Sequence, residues 1–355
     1  MTLKKYGKSS LALLDIKKGF INENNYYVKR QNQIAKLYSK QKKRSLCKNC
    51  NSRKLSFLFS KFNTKIKYFE CLNCGHLNGE YQDSENFCVN LYTLNKGTKY
   101  AKNYVTETKK SYFDRVKAIY IPKSIFLKKS LKSKKISTLN ILDIGCGSGY
   151  FVSSLTKVVF KKIEGIDVSK KQINFGNKVN NFSLLNTIEP NEVSDYVRKT
   201  KAKIVSLIGV LEHVQNPSEL LATIKKNRNI EYIYMSVPLF SLTVYMELIF
   251  HDVYNRHLSG AHTHLYTEKS INWLMKKYGF KTISEWWFGL DVNDLFRYAY
   301  VKMKKEKVSK RFLEKYNSLI RNLIDDFQYS LDKKKLSSEI HILMKKKMIG
   351  SGGRI

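Results

Sequence analysis

The chain has 355 residues, of which 65 are Lys or Arg and 29 are Asp or Glu, a formal charge of +36. That length can bury one large core, or one large domain with a small satellite, and the second is expected here. No apolar segment follows the opening "MTLKKYGKSS", which argues against a secretory leader. A reducing, cytoplasmic setting is therefore expected, where six cysteines point to metal or chemistry rather than disulfides. So basic a surface attracts nucleic acid, anionic lipid or phosphorylated substrates. The abundance of Asn, Ile, Tyr and Phe is equally what an A/T-rich genome produces, so charge by itself names no partner.

In chain order, residues 1–45 are Lys-rich without a clear period and read as a basic N-terminal arm with some helix. Residues 46–90 hold five of the six cysteines and the aromatic runs "KLSFLFSKF" and "IKYFE", which suit two short strands. Residues 91–136 read as a helical connector rich in Tyr and Lys. Over 137–350 apolar strands ("LNILDI", "KIEGID", "KIVSLIGV", "YIYMSV") alternate with helical patterns. That alternation predicts an α/β domain with a doubly wound, mostly parallel, Rossmann-like sheet. The least charged stretch, "YIYMSVPLFSLTVYM" (232–246), falls short of the roughly 20 apolar residues of a membrane span and carries Ser236, Pro238, Ser241 and Thr243. It reads as a buried strand running into a helix, so no transmembrane span is expected, only attraction to an anionic membrane surface. Phe312, Tyr316, Leu319, Leu323 and Phe327 fall at three- and four-residue steps and mark an amphipathic helix, after which "SEIHILMKK" alternates like a closing strand.

Two C-x2-C pairs, Cys47/Cys50 and Cys71/Cys74, carry the first chemistry. A two-residue gap lets one tight turn aim both sulfurs at a single ion, and two such turns complete a tetrahedron of thiolates around a structural Zn2+ in a small zinc ribbon. Asn51 and Gly75, directly after the pairs, are the residue types that tolerate the left-handed backbone of such turns. Four thiolates make the neighbouring His76 superfluous as a ligand, and Cys88 reads as a packed or free thiol.

The second signal is "ILDIGCGSGYF" (141–151), a strand followed by Gly145, Gly147 and Gly149 and a helix with Phe151, Val152, Leu155 and Val159 on its apolar face. Such a loop lies beyond the carboxyl ends of the strands, where a doubly wound sheet binds ligands. Neither the G-x-G-x-x-G fingerprint nor the P-loop fits, because position 150 is Tyr and no Gly-Lys-Ser/Thr follows. Asp143 would repel a pyrophosphate and favours a cationic ligand. S-adenosylmethionine has that character, and Asp167, ending the next strand "IEGID", is placed to accept hydrogen bonds from its ribose hydroxyls.

The motif D-I-G-C-G-S-G, the acid Asp167 and the segment "IGVLEHVQNPSELL" (208–221) together resemble the class I S-adenosylmethionine-dependent methyltransferases over about residues 137–300. "LYTEKSINWLMKKYGF" (265–280) and "EWWFGLDVNDLFR" (285–297) are similar to that family's last helix and hairpin. The resemblance implies that Asp143, Gly145, Cys146, Gly147, Gly149, Asp167 and Leu211 bind the methyl donor, with Asn186 the nearest candidate for the adenine contact. It departs from the family at Lys203 or Ile204, where an acid often begins the fourth strand.

A cysteine-paired module ahead of such a domain resembles a bacterial subgroup that methylates sugars, nucleotide-linked sugars among them, in surface-polysaccharide synthesis. There the small module helps cover a small-molecule or glycan substrate, for which the basic surface favours an anionic form. The resemblance implies acid/base roles for His213, with Glu212 beside it in "LEHV", and for His262 in "AHTHLYT", which is similar to E-H-x-x-Y-F-T with Ala261 replacing the acid and Leu265 the tyrosine. Methylation of a hydroxyl and of a carbon both stay open. His251, His257, His262 and His264 could instead hold a metal, though at no compact spacing. Tyr100, Tyr104 and Tyr112 either cover the methyl donor or pack a helix on the domain. Two other functions compete: an RNA methyltransferase gripping phosphates through the zinc module and positive charge, and a non-catalytic S-adenosylmethionine-binding protein. Against RNA, the chain has no N-P-P-Y signature, and Cys146 lies inside the glycine loop rather than at a nucleophile's place.

Overall fold

A computed structural model describes residues 2–11, 19–61, 64–92, 108–131, 138–158, 160–260 and 262–347. Tyr100, Tyr104, Val159 and Ala261 lie outside the described residues, as do parts of the arm and connector read from the sequence. The strands are β1 (Leu3–Tyr6), β2 (Leu55–Lys61), β3 (Ile66–Cys71), β4 (Leu77–Gly79), β5 (Asn140–Ile144), β6 (Lys162–Asp167), β7 (Leu185–Thr187), β8 (Ile204–Ile208), β9 (Tyr232–Pro238), β10 (His264–Leu265), β11 (Phe280–Phe288) and β12 (Glu339–Lys346). The helices that matter below are α1 (Asn24–Tyr38), α2 (Lys109–Arg115), α3 (Ile121–Leu131), α4 (Tyr150–Thr156), α5 (Pro217–Lys226), α6 (Glu268–Tyr278) and α7 (Lys310–Lys333).

Eight strands form one sheet in the order β1-β11-β12-β9-β8-β5-β6-β7. Strands β5 to β9 pair in parallel, while β12 runs antiparallel between β9 and β11. The four strands expected from the sequence are β5, β6, β8 and β9, and "SEIHILMKK" is β12. Residues buried on both faces explain why these segments read as near-continuous apolar runs. On β5, Leu142 and Ile144 pack with Leu220, Leu221 and Ile224 of α5 and Ile271 and Leu274 of α6. Ile141 turns the other way, to Phe126 and Leu127 of α3 and Phe151, Val152 and Leu155 of α4. The strand order reverses between β5 and β8, and a crevice outside the carboxyl ends at that point is where such a sheet binds its ligand.

A second sheet, β10-β4-β3-β2, carries the cysteine module. Its first strand comes from the large domain, so the pairing of His264 with Asn78 and of Leu265 with Leu77 ties the module to the large domain. The first 45 residues are more than a basic arm. β1 extends the large sheet, pairing in parallel with β11 from Leu3↔Ser284 to Tyr6↔Trp287. α1 packs Ile34, Ala35 and Tyr38 against Tyr68 and Leu77 of the module and Val244 and Leu258 of the domain. A four-residue strand is too short to show a period, and the buried face of α1 mixes Asn24 and Gln31 with its apolar residues, which hides the stripe.

The stretch 232–246 splits into β9 and a helix beginning at Leu242, as expected. Among the described residues no helix is long and apolar enough to cross a membrane. The late amphipathic helix is α7, but its face is reversed: Phe312, Leu319, Leu323 and Phe327 are 47 to 57 % exposed, whereas Leu313, Ile320, Ile324, Gln328 and Asp332 are buried. α7 therefore carries two apolar stripes, and spacing cannot rank them.

Candidate functional site

The glycine loop closes onto β6: the N–H groups of Gly145 and Cys146 both donate to the Ile166 carbonyl, at 2.8 and 3.0 Å. Gly145, Gly147 and Gly149 all have positive φ, 67°, 54° and 70°. A Cβ on Gly149 would sit 2.6 Å from Leu185 and one on Gly145 2.8 Å from Val210, so side chains are excluded by space as well as by backbone. The Tyr112 hydroxyl donates to the Ser148 carbonyl at 3.0 Å, and its ring stacks on Tyr150 at 4.7 Å. Of the connector's aromatics, this one holds the loop in place.

Asp167 ends β6 beside the loop, its carboxylate accepting from the Gly147 N–H at 2.9 Å and the Ser169 N–H at 2.8 Å. Burial raises its pKa above the usual carboxylate range, and the Ser169 and Gly147 N–H groups oppose the rise. Asp143 lies deeper, 2 % exposed, with the Ser206 hydroxyl donating to it at 2.6 Å. Burial pushes its pKa up to about 7, against the Ser206 hydrogen bond. Burial likewise pushes the Cys146 thiol well up, which makes it a packed rather than a nucleophilic sulfur. Leu211 is fully buried in the core, and Asn186 is exposed on β7 with its amide donating to Glu164 at 2.9 Å. Lys203 pairs with Glu231 at 2.9 Å at the far end of the sheet.

After β8 the chain turns at Gly209, φ 68°, and a tight loop follows in which His213 N–H donates to the Val210 carbonyl at 2.8 Å. Glu212, His213 and His262 converge: each offers a ligand-capable atom, and these atoms lie within 4.8 Å of one another. The rings of His213 and His262 are 5.0 Å apart. Burial pushes Glu212 up to about 8 and holds His213 well below its usual range, while His262 falls to about 4. At neutral pH both imidazoles are therefore neutral. The four-histidine grouping does not form. His251 is exposed, and His264, on β10, faces His76 across the junction with β4, ring nitrogen to ring nitrogen 2.8 Å. His257 meets His262 through its carbonyl at 3.0 Å.

Three partners of these groups were not legible in the sequence. Lys123, 6 % exposed on α3, has its charge felt at both Asp143 and Glu212 and lies 3.5 Å from Glu339, which the His341 ring meets at 2.9 Å. Ser206 and the His76/His264 pair are the others. A lysine in a Lys-rich helix, or a serine in a strand, gives no signal until the sheet brings it to a carboxylate.

Cys47, Cys50, Cys71 and Cys74 bring their sulfurs within 4.8 Å of one another. Each knuckle closes by a backbone hydrogen bond, Asn51 N–H to Cys47 carbonyl at 2.8 Å and Gly75 N–H to Cys71 carbonyl at 2.7 Å. Asn51 and Gly75 adopt the expected left-handed backbone, φ 60° and 69°. The amides of Asn49 and Asn73 point at Cys74 and Cys50 at 3.5 Å, and that of Asn78 points at Cys47 at 3.6 Å, donors that favour thiolate over thiol.

Residues 111–285 match the family described as a methyltransferase domain. No curated protein matches the chain. Among solved structures the chain is similar to a magnesium protoporphyrin IX methyltransferase from Synechocystis (10 % identity, 74 % of this chain and 100 % of that one, TM-score 0.46). It is also similar to an S-adenosylmethionine-dependent methyltransferase from Archaeoglobus fulgidus (15 %, 68 % and 100 %, 0.41) and to a plantazolicin methyltransferase in complex with S-adenosylhomocysteine (15 %, 73 % and 94 %, 0.43). The matched segment contains β5 to β10, the glycine loop, Asp167 and the Glu212/His213/His262 cluster. The chain is thus a methyltransferase. Residues 111–285 are its methyltransferase domain.

Proposed function

We propose that the chain methylates a hydroxyl or carbon of a sugar or nucleotide-linked sugar, in its anionic form, for surface polysaccharide. The observation that carries this reading is the β4–β10 pairing, which sets the cysteine module beside His262 and His264, where it can wall in a small acceptor. S-adenosylmethionine, when bound, supplies a methyl group on a positively charged sulfur that an acceptor nucleophile displaces. Its methionine end is assigned to the glycine loop, above the buried carboxyl of Asp143, and its ribose to Asp167 at the end of β6. His213 and His262, both neutral, receive the acceptor's proton, with Glu212 beside them. Much of the remaining work is in-line placement of nucleophile, methyl and sulfur.

The four thiols with their three amide donors suit a structural Zn2+, held by Cys47, Cys50, Cys71 and Cys74 with no open position for chemistry. A cytoplasmic enzyme drawn to an anionic membrane surface accords with the +36 charge. The test is methyl transfer from labelled S-adenosylmethionine to a panel of nucleotide-linked sugars and to RNA. Turnover on a sugar nucleotide is expected; turnover confined to RNA, with salt-sensitive RNA binding, would overturn the acceptor assignment.

A further inference from the structure

We propose that Glu212, His213 and His262 hold a divalent first-row metal ion, a second metal site separate from the thiol tetrad, which binds the oxygen of the methyl acceptor. The proposal rests on the methyl-transfer reading for its purpose, but not for its geometry. One carboxylate and two imidazoles converge at the carboxyl end of β8, their ligand atoms within 4.8 Å of one another. Two cis ligands on an ion with bonds of roughly 2.1 Å lie about 3 Å apart, so small side-chain rotations close the cluster.

Two details distinguish this cluster from a chance grouping. Glu212 is 4 % exposed, and its Oε2 is buried without a hydrogen-bond partner. A buried, unpartnered carboxylate oxygen is costly unless something occupies it. His262 meets the His257 carbonyl through Nδ1 at 3.0 Å. A carbonyl accepts only, so Nδ1 carries the proton and Nε2 keeps its lone pair, the arrangement by which a carbonyl orients a metal-binding histidine. Two imidazoles and one carboxylate form a borderline donor set that suits Fe2+, Mn2+ or Zn2+, unlike the soft thiolate tetrad.

Three protein ligands leave coordination positions open, and the chemistry narrows the acceptor. Neighbouring hydroxyls of a sugar can chelate such an ion, and a coordinated hydroxyl is acidified. Its O–H bond then breaks with the proton passing to water, and the oxygen keeps the electron pair with which it attacks the methyl carbon. With the ion bound, the imidazole lone pairs are engaged as ligands, and water replaces His213 and His262 as the acceptor of that proton. Oxygen, rather than carbon, is accordingly the methylated atom.

The experiment uses the full chain with its thiol tetrad loaded with zinc. Mn2+ is titrated and free Mn2+ is followed by its paramagnetic resonance signal, Mn2+ being too hard an ion to compete for thiolates. One bound Mn2+ per chain is expected, with Glu212→Gln and His262→Ala each weakening binding at least tenfold while zinc content stays unchanged. Binding of S-adenosylmethionine to the same samples checks that each variant is folded. No Mn2+ uptake by the wild-type chain, or uptake that both variants retain, overturns the metal site. If S-adenosylmethionine binds while Mn2+ does not, the site falls and the methyl-transfer reading stands. If Mn2+ is held by the triad while no methyl donor binds, the site stands and that reading falls.

Discussion

The Nδ1 atom of His262 lies 3.0 Å from the carbonyl oxygen of His257, so the ring proton is fixed on that side and Nε2 keeps its lone pair. Replacing His262 with Ala removes that lone pair without touching the glycine loop. Methyl transfer is expected to fall by about 10²- to 10⁴-fold while affinity for S-adenosylmethionine stays the same. Calorimetric binding alongside a turnover assay separates the two; a parallel loss of affinity would place His262 in the donor site.

Asp143 provides a pH signature. Its carboxyl, pushed up to about 7 by burial, holds its proton more tightly in the folded chain than unfolded, where the ordinary value is 3.8. Stability is therefore greatest below about pH 4, declines as pH rises from there to about 7, and is level above that as far as this group is concerned. A cationic ligand prefers the ionised carboxylate, so donor affinity should rise through pH 7 with release of a proton. Asp143→Asn should flatten both profiles, measured by urea unfolding and by titration of S-adenosylmethionine between pH 5 and 8.

Asp167 has the opposite emphasis. Asp167→Ala releases the Gly147 and Ser169 N–H groups and, on the proposed donor site, removes the acceptor for the ribose hydroxyls. Hydrogen bonds to a charged acceptor contribute about 1.5–3 kcal/mol each, so donor affinity should weaken at least tenfold. Thermal shift with S-adenosylhomocysteine gives the measure; an unchanged shift would remove Asp167 from the donor site.

Metal removal from the tetrad should be felt in the large domain. Because β4 pairs with β10, two residues beyond His262, loss of the knuckles should lower both Tm and methyl transfer. Chelation, or Cys74→Ser, is expected to strip about one zinc per chain by elemental analysis. Full activity after stripping would separate the module from the acceptor site.

The reversed face of α7 makes a stability contrast between neighbours. Ile324, fully buried, should cost about 2–5 kcal/mol when cut to Ala. Leu323, 47 % exposed, should cost within about 0.5 kcal/mol. Equal losses in chemical unfolding would show that the outer stripe is covered.

The sequence by itself determined whatever depends on local spacing. The glycine loop, its flanking strand and helix, Asp167, the paired cysteines and the left-handed residues after each pair are all set within a few residues, because a tight turn has few solutions and each demands its own residue types. Four parallel strands and a closing one were legible because burial on both faces leaves a continuous apolar run. Only the tertiary structure decided which of two apolar stripes α7 buries, that Leu3 to Tyr6 joins a sheet edge, and which histidines meet. His262 finds Glu212 and His213, and His264 finds His76, because β10 pairs with β4 while the loop after β8 turns back at Gly209. Such meetings join residues far apart in the chain, and their energy lies in burial and long-range pairing, which spacing along one strand or helix does not encode.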